Sequence, residues 1–502
     1  MKTIQTRSGL LRGTLSEYNP TIEVFRGIPY AQPPVAALRL KPPVQETPWE
    51  GLRDATRFSD SCIQPTSSSA FVWRRGDFPV SEDCLYLNVW SPDTSGRLPV
   101  MVWFHGGSHT SGQGHSKIFD GTTLAEQGVV VVTINYRLGA LGFLAHPWLA
   151  AESEHDSAGN YGLLDKIAAL NWVRDNIAGF GGDPANVTIF GQSAGSQSVC
   201  SLMVSPLAGG LFHKAIGQSA ACFGPPPSRD ANGFERGEKF VRNLGVSNVD
   251  ELRATDAADF LRATAESGWD SASRIVIDGY VLPDNHTQLW KSGQHANIPL
   301  MVGSLADEGN QLFPVNEALT EAQLDQYLQR QYGSAGAQLK ALYSQQHKTP
   351  GTIQHAVATD TFMAFGMRRW AEYNRSAGNP TWLYFMDLVP PAFHLYWPEN
   401  PDIGLPDGPR SGGAYHSGDL AFVFGNTHKV GVDWTTEDHL LSGQMVRYWT
   451  NFAKTGNPNG EGLPAWRAFD EDYSTLRLNG QPATVNGIRR EALDLISQQF
   501  PE

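Results

Sequence analysis

Gly191-Gln192-Ser193-Ala194-Gly195 is the segment whose residue types and spacing could do chemistry. A serine between small residues, two positions from a glycine on either side, can sit at the apex of a turn too tight for larger side chains. Its hydroxyl is then presented outward as a nucleophile. Before it, Val187-Thr188-Ile189-Phe190 has the β-branched and aromatic composition of a buried strand. After it, Gln197 to Met203 is competent to form a helix. Strand, G-x-S-x-G and helix form the context of a nucleophile elbow, and Ser193 is the expected nucleophile. A plain Gly-Ser turn is the structural alternative.

A serine hydroxyl needs a base, the base needs an orienting acid, and the developing oxyanion needs donors. For donors, Trp103-Phe104-His105-Gly106-Gly107 ends the apolar run that starts at Leu98. Glycines there let backbone N–H groups approach a reacting carbonyl. Gly106, Gly107 and Ala194, the residue after the nucleophile, are assigned to an oxyanion hole. His105 precedes the serine and is expected to hold the glycine loop. For the acid, Asp307 and Glu308 follow the strand-like Pro299–Val302 in a loop, and the residues alone do not separate them. For the base, His416 lies in the glycine-rich Gly412-Gly413-Ala414-Tyr415-His416-Ser417-Gly418. His394 and His428 lack a comparable loop. The order serine, acid, histidine is that of α/β-hydrolases.

The elements that must position these residues are strands alternating with helices. Leu98–Phe104, Gly128–Asn135, Val187–Phe190, Ala215–Gln218, Pro299–Val302 and Trp382–Met386 read as strands. The near-continuous apolar run Gly128–Asn135 is that of a strand covered on both faces. Tyr161–Phe180 carries Leu163, Leu164, Ile167, Ala168, Leu170, Trp172, Val173 and Ile177 at helical spacing, and Gly179, Gly181 and Gly182 end it. The expected fold is α/β, with a central, mostly parallel twisted sheet between helices. The whole chain, 1–502, reads as one domain. Stretches of about 221–297 and 309–415 read as insertions at the carboxyl ends of strands, walling the pocket.

Composition narrows the function. The 502 residues are 41% hydrophobic, enough for a large core, and carry a net charge of −13 from 38 basic and 51 acidic residues. That balance argues against nucleic acid or an anionic membrane surface as partner. No stretch approaches the ~20 apolar residues of a membrane span. The first residues lack the apolar core of a signal peptide, so a cytoplasmic protein is expected, with a removed leader as the alternative. Four cysteines without C-x-x-C spacing and histidines without H-E-x-x-H or H-x-H spacing predict no metal. No cofactor is needed for this chemistry, and a monomer is the default.

The chain resembles the type B carboxylesterase family, which includes bacterial para-nitrobenzyl esterases and the cholinesterases. Two long motifs carry the resemblance: the segment from Phe180 to Gly195, FGGDPANVTIFGQSAG, and that from Glu82 to Pro92, EDCLYLNVWSP. FRGIPYAQPP from Phe25, NYRLGALGFL from Asn135 and Asp307-Glu308-Gly309 support it. The similarity runs in order from about residue 5 to about residue 470.

The resemblance implies an α/β-hydrolase that cleaves carboxylic esters through Ser193, Glu308 and His416 and an acyl-enzyme. Carbamate or amide hydrolysis is the alternative on the same machinery. A non-catalytic binding protein on the same fold is the remote one. The partner would be a small-molecule ester, with an oligomer of the chain left open. The resemblance selects Glu308 over Asp307 and supports His416, Gly106, Gly107 and Ala194. Ser219 would contact the acid from behind. Ion pairs Arg26–Glu82 and Arg137–Asp165 and a Cys62–Cys84 disulfide are implied, with Cys200 and Cys222 left as buried thiols.

Two departures stand out. Gln192 occupies the place where relatives usually carry glutamate. Losing that charge predicts a weaker preference for cationic substrates and a pH–rate profile whose acid limb lies below that of a Gln192→Glu variant. Ser108-His109 replaces a third small residue and an aromatic. His109 either lines the acyl or alcohol pocket or faces solvent. With Trp73, in the aromatic and basic run Phe71-Val72-Trp73-Arg74-Arg75, and Phe223, it makes up the candidate pocket residues.

Overall fold

The computed structural model describes residues 2–66, 71–72, 78–223, 230, 233–267, 275–396 and 403–500. Runs rich in β-branched and aromatic residues condense into one mixed sheet. Its strands are β1 (Thr14–Leu15), β2 (Glu23–Pro29), β3 (Tyr86–Ser91), β4 (Leu98–Phe104), β5 (Val130–Ile134), β6 (Gly182–Gln192), β7 (Lys214–Gln218), β8 (Leu300–Leu305), β9 (Thr381–Met386), β10 (Ser474–Leu478) and β11 (Ala483–Asn486). In space the order is β11-β10-β9-β8-β7-β6-β4-β5-β3-β2-β1. Every pairing from β5 across to β10 is parallel. The outer pairings are antiparallel.

Successive side chains on a strand point to opposite faces, and here both faces are covered. Val100, Val102 and Phe104 of β4 join one apolar core, and Met101 and Trp103 join the other. The first core is closed by helices α1 (Tyr161–Asn176) and α2 (Ala194–Leu202), the second by a long late helix. Helix α1 runs as expected, but a 3-10 turn, Ile177–Phe180, replaces its last residues before Gly181 at φ +78°. Its Asp165 is fully buried because Arg137 donates to it from Nε at 2.9 Å and from Nη2 at 2.7 Å. That is the ion pair the family resemblance implies.

The stretch at 221–297 holds helices α3 (Phe234–Leu244) and α4 (Ala257–Ser267). The stretch at 309–415 holds α5 (Glu321–Tyr332), α6 (Pro350–Thr359), a π-helical turn at Asp360–Ala364 and α7 (Phe365–Ser376). It is not one insertion, because β9 lies within it and joins the main sheet. The late helix is α8 (Thr436–Thr455), capped by Thr435 and Asp438. No described helix is long and apolar enough to cross a membrane.

Two expectations are corrected. Arg26 does not reach Glu82. The β2–β3 register shifts between Phe25 and Ile28, and Arg26 turns outward to Glu17 at 3.7 Å and over the Phe58 ring. Glu82 is taken by Arg39, whose Nε donates to it at 2.7 Å. Cys200 and Cys222 are not thiols but a second disulfide beside Cys62–Cys84. Cys200 on α2 and Cys222 just past β7 have Cα atoms 5.6 Å apart, because β6 leads into α2 and pairs with β7.

Candidate active site

Ser193 sits between β6 and α2 at φ 57° and ψ −125°, a conformation that costs of the order of 1–3 kcal/mol and persists only where its surroundings impose it. The imposition is visible in the two glycines. A Cβ on Gly195 would lie 1.9 Å from the Phe104 carbonyl oxygen, and one on Gly191 would lie 2.5 Å from the Gly195 backbone. Only glycine lets strand, turn and helix close this tightly. The Ser193 N–H donates to Gln218 O at 2.9 Å, which ties the turn to β7. Its hydroxyl makes no hydrogen bond to a described residue and opens into a cavity of about 280 Å³.

The glycine loop after β4 lies against the same turn. A Cβ on Gly106 would stand 3.1 Å from Ser193 Cβ, and Gly107 holds φ +108° with no room for a side chain beside Ser111. The N–H groups of Gly106, Gly107 and Ala194 enter no hydrogen bond among the described residues. His105 is buried under this loop. Its Nδ1–H donates to Gly106 O at 2.8 Å, and its ring stacks on Tyr136 with centroids 4.3 Å apart. Burial pushes its pKa down to about 3, so it is neutral and structural.

The candidate acid and base come from two loops at the same end of the sheet. Glu308, just beyond β8, is 1% exposed. Its Oε1 accepts the Leu305 N–H at 2.8 Å, and its Oε2 accepts from His416 Nδ1 at 2.6 Å. Asp307 turns the other way, and its Oδ2 accepts the Ala414 N–H at 2.8 Å. The adjacent carboxylates thus divide the work: one faces the imidazole, the other braces the loop that carries it. Behind them lies a third carboxyl, Asp419, fully buried and held by Gln218 Nε2 at 2.8 Å and Tyr384 OH at 3.2 Å. Burial, with the Glu308 charge adding to it, pushes Asp419 up to about 6, against the opposing effect of the Gln218 bond.

Other candidates lie elsewhere. Ser219 Oγ is buried and makes no hydrogen bond to Glu308 or to any other described residue. His109 neither lines the cavity nor faces solvent. Positive φ values at Ser108 and His109 turn the chain inward, and the ring packs on Phe143 at 4.9 Å while Nε2 meets Gln197 Oε1 at 3.2 Å. Burial drives its pKa to about 3. Phe223 packs on Tyr373 and Trp290 and does not line the cavity. Trp73 lies outside the described residues.

Val72 of the aromatic and basic run lines the cavity, and the rest of the apolar wall comes from residues the sequence did not assign to the pocket, among them Ile118, Phe119, Leu312, Phe362 and Leu420. Phe362 is 54% exposed and stands on the π-helical turn. Leu312 and Phe362 belong to the 309–415 stretch, and no described residue of 221–297 reaches the cavity. Apolar residues in a loop after a catalytic turn were the available signal, but their aim depends on the insertion's fold. No group of His, Cys, Asp and Glu among the described residues could hold a metal ion.

The carboxylesterase family model matches residues 1–496. The para-nitrobenzyl esterase of Bacillus subtilis is 36% identical, with 96% of both chains covered. Carboxylesterase 5A of the dog is 34% identical over 99% of this chain and 89% of its own. Among solved structures, a Geobacillus stearothermophilus carboxylesterase superposes with a TM-score of 0.84 at 32% identity, covering 99% of this chain and 100% of that one. A para-nitrobenzyl esterase structure does so with a TM-score of 0.83 at 32% identity over the full length of both. The α/β sheet, the nucleophile turn and these full-length matches agree: the chain belongs to the carboxylesterase family and hydrolyses carboxylic ester bonds of small molecules.

Proposed function

We propose that the reaction runs through Ser193, His416 and Glu308 and a covalent acyl-enzyme. The observation that carries this reading is the 2.6 Å contact of His416 Nδ1 with buried Glu308, at the rim of the cavity into which strained Ser193 opens. A carboxylate at Nδ1 keeps the proton on that nitrogen and leaves Nε2 basic. His416 takes the hydroxyl proton as Ser193 attacks the ester carbonyl. The N–H groups of Gly106, Gly107 and Ala194 receive the oxyanion. His416 then protonates the departing alcohol, and Glu308 stabilises the transient imidazolium. A water that gives its proton to His416 cleaves the acyl-enzyme in the same way.

The wall of Leu312, Phe362, Phe119 and Leu420 favours an apolar acyl or alcohol group next to the reacting carbonyl. Turnover of para-nitrophenyl acetate, butyrate and octanoate by the wild type and by Ser193→Ala tests the reading. Activity that rises with acyl length to the limit of the cavity and vanishes in the variant supports it. A variant that retains turnover on these esters overturns it.

A further inference from the structure

The nitrogen that should take the serine proton is already occupied. Because Nδ1 of His416 donates to Glu308, Nε2 carries the lone pair and can only accept. The group at that lone pair is not the Ser193 hydroxyl. It is Gln192 Nε2, at 3.1 Å. An amide nitrogen is a donor only, so with neutral imidazole the contact is Gln192 N–H donating to that lone pair. Gln192 is the last residue of β6, 2% exposed, with its backbone fixed by the β6–β7 ladder. Its Oε1 lies against Gly106, 2.9 Å from where a Cβ would stand. The side chain therefore runs from the glycine loop to the histidine, beside the nucleophile.

We infer that Gln192 is a positioning residue that caps the proposed base, holding His416 by Nε2 and competing with the Ser193 hydroxyl until substrate displaces it. The inference rests on the reading of Ser193 and His416 given above. A cap of this kind bonds only neutral histidine. Once Nε2 gains the serine proton, two N–H groups would face each other, and the amide must leave or turn its oxygen to the ring. The cap thus slows the attack step and disfavours protonation of the resting base. A glutamate at the same place would do the opposite, since a carboxylate cannot donate to Nε2 but accepts from its protonated form. The other titratable groups that face His416 are Glu308 beyond β8, Asp419 on its own loop, Tyr384 of β9 behind Asp419, and neutral His105 across the cavity.

The test measures labelling of Ser193 by the uncharged diisopropyl fluorophosphate, which reports the attack step alone, as a function of pH. The modified peptide is identified by mass. Gln192→Met keeps the length of the side chain and removes its N–H; Gln192→Glu removes the donor and adds charge. The expected plateau rate of Gln192→Met is about 3- to 10-fold above wild type, the factor one net hydrogen bond corresponds to. The acid limb is expected to rise in the order wild type, Gln192→Met, Gln192→Glu, with about half a pH unit or more at each step. A purely packing role would leave the limb where it is.

A Gln192→Met plateau at or below wild type with an unmoved limb overturns the cap. Should that variant fail to fold, a Gln192→Glu limb at or below the wild-type position overturns it equally. Wild type that is not labelled at Ser193 at all brings down the serine reading and the cap together, and this outcome is distinct from labelling without a difference between variants.

Discussion

Two cavities flank the loop of Asp307 and Glu308, and they treat their polar groups differently. The larger, about 580 Å³, is lined by Asp307, Tyr343, His347, His355, Asp360 and Arg489. Its charges are directed at one another. Buried Asp360 accepts from both Arg489 and Tyr343, Arg489 also donates to Ala306 O at 2.9 Å, and Asp307 accepts the Ala414 N–H. The smaller, about 280 Å³, leaves its key groups without partners among the described residues: the Ser193 hydroxyl and the N–H groups of Gly106, Gly107 and Ala194. Volume and charge would choose the larger one. Unmatched donors beside strained Ser193 choose the smaller under the proposed mechanism, because a site built for a transition state holds groups whose partner arrives only with the substrate.

The sharpest break of this contrast is Glu308→Gln. The amide can still accept the Leu305 N–H through its oxygen, but it then points an N–H at His416 Nδ1. The imidazole is forced into the other tautomer, with its proton on Nε2 and no base left for Ser193. The expected loss in kcat is about 10³–10⁴-fold with little change in KM, measured on para-nitrophenyl butyrate. Gly107→Ala comes next. At φ +108° and with Ser111 O 2.2 Å from the new Cβ, the loop must shift and carry its N–H away from the oxyanion. The expected loss is about 10²–10³-fold in kcat on the same substrate, with Ser193 still labelled by an organophosphate.

In the larger cavity the balance reverses. Asp360→Asn leaves Arg489 without its counter-charge. Stability is expected to fall by about 3 kcal/mol, at the lower end for a broken buried pair because Arg489 keeps 30% of its side chain in water. Ester hydrolysis at 25 °C is expected to stay within about threefold of wild type, since no residue lining that cavity also lines the one at Ser193. Urea unfolding and a turnover assay on one preparation separate the two effects. A large loss of activity at unchanged stability would remove the distinction between the cavities.

Much of the smaller cavity was legible in the chain because its parts are local. A strand, a tight turn and a helix are contiguous, so Ser193 and Ala194 could be read from the single stretch Val187 to Met203. Gly106, Gly107 and His416 followed from what a serine needs. Asp307 and Glu308 could not be separated by their residue types, because adjacent positions in a turn differ only in the direction each side chain takes. What depended on long-range register was missed. The shift inside β2 redirected Arg26 from Glu82 to Glu17. The approach of α2 to the end of β7 joined Cys200 to Cys222. Two successive positive φ values buried His109, and nothing in its type or spacing announces them. The wall at Leu312 and Phe362 depends on how the 309–415 stretch folds back, and the Gln192–His416 contact joins residues 224 positions apart.

The smallest effect sharpens the same contrast at Asp419. Like Ser193, this residue has an atom without a partner among the described residues: Oδ1 is buried and accepts no hydrogen bond from any of them. Burial beside Glu308 raises its folded pKa to about 6, above the ordinary value of 3.8. A carboxyl whose pKa is raised by folding binds its proton more tightly in the native state. Its contribution to stability is therefore greatest below about 4 and is lost as pH rises to about 6, the reverse of a salt-bridged aspartate. Asp419→Asn is neutral at every pH and keeps an acceptor for Gln218 and Tyr384. Relative to wild type it should gain about 2–3 kcal/mol between pH 4 and pH 7, two pH units of linkage at most, whatever its offset at low pH. Urea midpoints of both proteins at pH 4.5, 5.5 and 7 give the slope. A difference that is flat across this range would mean that Asp419 is ionised at pH 4.5 in the native state, and that the cluster behind Glu308 is as fully paired as the one around Asp360.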